Sequence, residues 1–148
     1  MKIATLTPSF SVSHQISAAD LGSLAAQGFR AVISNRPDGE AGDQPANAAL
    51  AAAARRAGLA YREVPVVSGK IGDDDVAAFA RALDEVEGPV LAFCRTGTRS
   101  ATLWALAEAQ RREPQAILAT AAAAGYDLQA LEPRLAARRQ AAESEAKG

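Results

Sequence analysis

The sequence predicts a single α/β domain built on a small, mainly parallel sheet flanked by helices. Three observations carry this expectation. Short apolar, β-branched runs alternate with helical stretches, the pattern of βαβ units. Between the runs, helical stretches carry apolar residues at helical spacing and end at glycine. One run, "PVLAFC", is continuously apolar, as in strands buried on both faces of a parallel sheet. A chain of 148 residues suits one domain and can bury a core without disulfide or metal.

In chain order, "KIATLTPSFSVS" holds one or two short strands. "SAADLGSLAAQGF" reads as a helix, capped by Ser17, with Asp20 in its acid-favouring first turn and Gly28 as its stop. "RAVISN" is a strand, and the Pro-Asp-Gly order after it is a turn. "ANAALAAAARRAG" is a helix closed by Gly58, and "LAYREVPVV" is a strand that ends or bends at Pro65. The next helix carries Val76, Phe79, Ala80 and Leu83 as its apolar stripe, with Asp73–Asp75 at its N-terminal end. After "PVLAFC" a helix is expected from Ser100, then one from Pro114, then a last one interrupted near Pro133. The domain is placed at residues 1–141, with a frayed tail at 142–148.

Several classes are excluded by composition. A net charge of -1, scattered arginines and 5% aromatic residues offer nothing to nucleic acid. No apolar run approaches the roughly 20 residues of a membrane span, and the N-terminus lacks the apolar core of a signal peptide. The single cysteine can form no internal disulfide, so a cytoplasmic protein is expected. The single histidine, His14, has no partner at metal-ligand spacing, and neither metal nor cofactor is expected.

Ligands of parallel sheets sit at the carboxyl ends of the strands. That rule brings "NRPDGE", "VVSGK" and "CRTGTRS" to one rim. In the last of these, Cys94 ends a buried strand and a helix follows. Gly97 permits the sharp turn between them, and the backbone N–H groups of Arg95, Thr96, Gly97 and Thr98 converge with the helix N-terminus into an anion cradle. Such surroundings favour thiolate over thiol. Arg99 supplies a permanent, bidentate cation, Arg95 a second charge at the mouth, and Ser100 a hydroxyl that can donate to the sulfur. The expectation is a nucleophilic Cys94 facing a small anionic substrate, with Arg36 and Asp38 lining the same pocket. Trp104 is read as core.

The segments "VSHQIS", "GFRAVISNRPDGE", "AGLAYREVPV" and "GPVLAFCRTGTRSATLWAL" resemble the beta-lactamase hydrolase-like, phosphatase-like domain family, also described as a sulfur transferase family. The resemblance runs from about Thr7 to Leu135. It implies the fold of dual-specificity, cysteine-type phosphatases and brings Gln15 to the pocket wall. It also implies that such domains occur fused to enzymes of sulfide metabolism. Cysteine phosphatases of that kind carry His-Cys, five residues, then Arg. Here Phe93 precedes Cys94 and only four residues separate Cys94 from Arg99, whereas Cys-Arg-x-Gly-x-Arg is the pattern of rhodanese-type sulfurtransferases. Phosphoester hydrolysis also needs a general acid. Asp73 comes late for that role, and Asp38 and Glu40 are the other candidates, either of which could instead orient Arg99. On these grounds the sequence favours sulfur transfer through a Cys94 persulfide to an external thiol or protein acceptor. A phosphatase and a non-catalytic anion-binding module are the alternatives.

Overall fold

The computed structural model describes residues 1–147. A five-stranded sheet has the order β1-β2-β5-β3-β4, formed by Ile3–Thr7 (β1), Phe10–Ser13 (β2), Ala31–Ser34 (β3), Ala60–Glu63 (β4) and Val90–Phe93 (β5). β1 runs antiparallel to β2, and the other pairings are parallel. The α/β expectation therefore holds, with one antiparallel edge strand.

β5 lies in the middle, with Ala92 paired to Val12 on one side and to Ile33 on the other. Every residue of β3 and β5 is buried, which is what their unbroken apolar runs require. Alternate side chains enter two different cores. Leu91 and Phe93 join Val32, Leu21, Leu24 and Leu50 beneath α1 (Ala18–Ala26) and α2 (Asn47–Arg56). Val90 and Ala92 join Ile33, Phe79 and Trp104 beneath α3 (Asp73–Glu85) and α4 (Thr98–Glu108). Trp104 is 2% exposed and is core. α5 (Pro114–Ala123) and α6 (Glu132–Lys147) complete this second layer through Ile117, Leu118 and Leu135.

The punctuation operates locally as the residue types dictate. Ser17 and Asp20 form a reciprocal capping box at α1. Gly28, Gly58 and Gly125 sit at positive φ just past their helices. β4 ends at Glu63, ahead of Pro65.

Two boundaries differ from expectation. α4 starts at Thr98, not Ser100, because Gly97, at φ 91°, is itself the N-cap residue that closes the four-residue turn from β5. The C-terminal segment expected to fray from residue 142 is helical through Lys147, while Gly148 lies outside the described residues. Pro133 does not interrupt that helix. It occupies the first turn, where its missing N–H has no intrahelical partner to lose. Arg139 then braces the helix through Glu143 at 3.0 Å and Glu113 at 3.1 Å.

Candidate functional site

The site is built from the loops that leave β3, β4 and β5 at their carboxyl ends. Because β5 is central, Cys94 emerges at the middle of that rim, where it is 1% exposed. Its Sγ accepts the Gly97 N–H at 3.1 Å. The first backbone bond of α4 runs from Ala101 N to Gly97 O, so the Arg99 and Ser100 N–H groups have no intrahelical partner, while the Thr98 N–H rests on Thr96 Oγ1 at 3.5 Å. Thr96 and Thr98 are exposed beside them, their hydroxyls 3.1 Å apart.

Gly97 is required twice over. Its φ of 91° is a left-handed conformation that side chains rarely adopt, and a Cβ there would collide with the Tyr126 hydroxyl. That hydroxyl donates to Thr96 O at 3.3 Å and so ties the loop to the segment after α5. Burial first, and the nearby Cys94 charge second, push the Tyr126 phenol up, which keeps it a donor. Gly97→Ala is expected to lower unfolding stability by about 1–3 kcal/mol, measured by urea titration. An unchanged midpoint would show that the loop relaxes freely.

Arg99 is 8% exposed and points inward. Nη1 and Nη2 grip the two Glu40 oxygens at 2.8 and 2.9 Å, and Nη1 also donates to Val66 O at 3.0 Å. Arg36, also buried, donates through Nε to Glu40 Oε1 at 2.9 Å and through Nη1 to Gln15 Oε1 at 3.0 Å. The Arg99 hydrogen bond, followed by that of Arg36, outweighs burial and holds the Glu40 carboxyl at about 2, against an ordinary 4.5. Glu40 is therefore ionised whenever the protein is folded at ordinary pH, and it orients arginines rather than donating a proton. Because the folded value is depressed, its contribution to stability is complete above 4.5 and is lost as pH falls from there through about 2. Glu40→Gln is expected to flatten the dependence of unfolding free energy on pH across that window, measured by denaturant titration. An undiminished slope would assign the acid sensitivity elsewhere.

Three expected roles need correction. The Ser100 hydroxyl has one proton, and it goes to Asn35 Oδ1 at 2.7 Å, not to the sulfur. Asp38 does not line the pocket. It is exposed and accepts the Asn47 N–H at 2.8 Å, satisfying a free donor at the start of α2. Gln15 stands behind Arg36, where it braces the guanidinium and bonds Arg95 O through its own N–H at 3.3 Å. The remaining acid candidate, Asp73, takes Arg134 at 3.2 Å and Arg138 at 3.0 Å. Arg36, Arg95, Thr96, Thr98 and Arg99 do share one cleft with Glu40, of about 780 Å³.

Asn35 and Tyr126 are the residues that sequence reading missed. Asn35 is fully buried and stitches three loops together. Its N–H bonds Phe93 O at 2.8 Å, its Nδ2 bonds Val64 O at 2.9 Å, and its Oδ1 receives Ser100. A polar residue closing an apolar strand was the available signal. Tyr126 gave none, since its partner lies 30 positions away. Among the described residues no three His, Cys, Asp or Glu side chains group to hold a metal, and no helix is long and apolar enough to cross a membrane.

Residues 2–111 match the family described as beta-lactamase hydrolase-like protein, phosphatase-like domain. Beta-lactamase hydrolase-like proteins of Xylella fastidiosa (strain Temecula1) and Agrobacterium fabrum are 42% identical over 130 and 109 residues, covering 86% and 74% of this chain. The chain spans only 30% and 25% of the length of those relatives. A crystal structure from Neisseria meningitidis Z2491, provisionally designated a phosphatase, superposes with a TM-score of 0.83 at 35% identity and covers 94% of this chain and 99% of its own. Pseudomonas aeruginosa TpbA, crystallised with phosphotyrosine as its Cys-to-Ser variant, shares the fold at a TM-score of 0.60 and 21% identity over 90% of each chain.

Proposed function

The chain belongs to the beta-lactamase hydrolase-like, phosphatase-like domain family, and from that premise we propose that it is a cysteine-dependent phosphatase acting on phosphoesters with good leaving groups. Cys94 thiolate attacks phosphorus and the ester P–O bond breaks. Water then attacks the resulting phosphocysteine, and the P–S bond breaks to give inorganic phosphate and the thiolate again. The α4 N-terminus and Arg99 hold the charge that develops on the non-bridging oxygens. The observation that carries this reading is a buried Cys94 Sγ that accepts the Gly97 N–H at 3.1 Å at the start of α4, directly under a cleft lined by its loop neighbours Arg95, Thr96 and Thr98 and by an Arg99 guanidinium gripped by Glu40.

The restriction to good leaving groups follows from the acids. Glu40 is clamped and ionised, Asp38 serves α2, and Asp73 is shared by two arginines. Glu40 is the one carboxylate lining the cleft among the described residues, so no acid there protonates the departing oxygen, and a phenolate leaves readily where an alkoxide does not. A missing acid narrows the range of phosphate esters rather than excluding them, and with the phosphatase-like family match this favours the phosphatase over the sulfur transfer that the sequence preferred.

Sulfur transfer is the second reading, favoured by the four-residue spacing from Cys94 to Arg99 and by a sulfite leaving group that needs no acid. It would require an external thiol as acceptor. The discriminating experiment measures phosphate released from p-nitrophenyl phosphate and from an alkyl phosphate, beside thiocyanate formed from thiosulfate and cyanide. Expected is phosphate release with at least about 10²-fold preference for the aryl ester, and no thiocyanate. Thiocyanate without phosphate would replace the phosphatase reading with sulfur transfer. Silence in all three assays would leave an anion-binding module.

A further inference from the structure

The cleft is far larger than a phosphoryl group needs. Its roughly 780 Å³ falls in the range of sites that enclose a whole small ligand. Its charges are also out of balance. Four guanidiniums line it, those of Arg36, Arg95, Arg99 and Arg134, against a single carboxylate, Glu40. Glu40 is already divided between Arg36 and Arg99. Arg95 is exposed and makes no ion pair among the described residues.

Arg134 reaches the same cleft from the first turn of α6. It is held in place by Nη1 donating to Ile71 O at 2.8 Å and Nη2 to Asp73 Oδ1 at 3.2 Å. Asp73 also serves Arg138, so this cluster keeps a net positive charge. The wall includes Ile71, Thr102 and Leu131, which bring no compensating charge. One oxyanion seated against Arg99 leaves Arg95 without an ionic partner and Arg134 only a share of Asp73.

From this we infer that Arg95 and Arg134 form a second anion subsite, so that the preferred substrate carries another acidic group on the part of the molecule outside the cradle. The inference rests on the phosphatase reading for the identity of the first group, but not for the existence of the second. Arg95 is a flexible, exposed cation and Arg134 a braced one. Together they select by charge rather than by shape. The acidic group can be a side chain of a phosphorylated peptide or a carboxylate on a small phosphoester.

The test measures binding to the full chain carrying Cys94→Ser, so that turnover does not intervene. Three phosphotyrosyl peptides, identical except for aspartate, alanine or lysine beside the phosphotyrosine, are titrated by calorimetry at low salt. Carboxyphenyl phosphate is compared with phenyl phosphate in the same way. Expected is binding of the aspartate peptide about tenfold tighter than the lysine peptide, a gap that narrows as salt is raised. Adding Arg95→Glu should close or invert it, and Arg95→Lys should restore it. A preference for the carboxyphenyl ester as well would extend the subsite to small ligands, and a preference confined to the peptides would assign it to acidic side chains. Equal binding of all three peptides overturns the subsite, and release of phosphate from them by the unsubstituted chain would then leave the phosphatase reading standing. Tighter aspartate-peptide binding without any phosphate release upholds the subsite and overturns the phosphatase. Binding of no peptide and no ester overturns both.

Discussion

Cys94→Ser is expected to abolish turnover, by on the order of 10⁴-fold or more, while the fold and the affinity for oxyanions persist. A serine hydroxyl at this position has no adjacent base to take its proton. The only histidine, His14, is exposed on the segment after β2, and Ser100 has committed its hydroxyl to Asn35. A thiol forms its anion far more readily than a hydroxyl, so only the cysteine can be both nucleophile and leaving group in this setting. Structure should survive because the change is nearly isosteric and the Gly97 N–H, now 3.1 Å from Sγ, can be accepted by Oγ instead. The α4 N-terminus and Arg99 do not depend on the sulfur for their positions, since Arg99 is fixed by Glu40 and Val66 O. Steady-state rates on p-nitrophenyl phosphate and calorimetric binding of sulfate, on the same preparation, check both halves. Retained turnover would remove Cys94 from the mechanism, and lost sulfate binding would mean that the sulfur organises the cradle.

How much of this site was legible before the fold was known follows from the distance between partners in the chain. Cys94, Gly97 and Arg99 fall within six residues, and the chemistry of that loop is local. A glycine must turn it, a helix must follow, and a guanidinium must lie one turn on. The rim was legible too, because alternating strands and helices fix which loops share an edge. Which acid meets Arg99 was not. Asp38 and Glu40 were equivalent in sequence, 61 and 59 positions away, and the choice was made by packing at α2, where Asp38 completes the helix start and leaves Glu40 to the arginines at the cleft. Ser100 shows the same limit. A hydroxyl next to a cysteine loop suggests a donor to sulfur, yet its proton goes to Asn35, which β3 delivers from 65 positions upstream. The start of α4 was missed for the opposite reason: a single residue's φ moved it two positions toward Cys94.

Arg99→Lys is the second large effect expected, a fall in kcat/KM of about 10²–10³ carried mainly by kcat. Lysine keeps the charge, so long-range attraction for an anion survives and KM changes little. What it loses is the fork. Arg99 uses Nη1 and Nη2 on Glu40 and Nη1 again on Val66 O, which leaves Nε and the second Nη2 proton as a rigid edge for the reacting group. One ammonium on a flexible stem cannot hold both Glu40 oxygens and still present a fixed pair of donors. Alanine is the poorer test. It would take away the bidentate partner of Glu40 and leave a void where the buried Arg99 side chain packed, so inactivity could reflect a disturbed fold. With lysine, a melting temperature close to that of the parent together with a collapsed kcat isolates the geometry. If kcat instead stays within a few-fold of the parent, charge alone suffices, and the Glu40 clamp is scaffolding without influence on the chemical step.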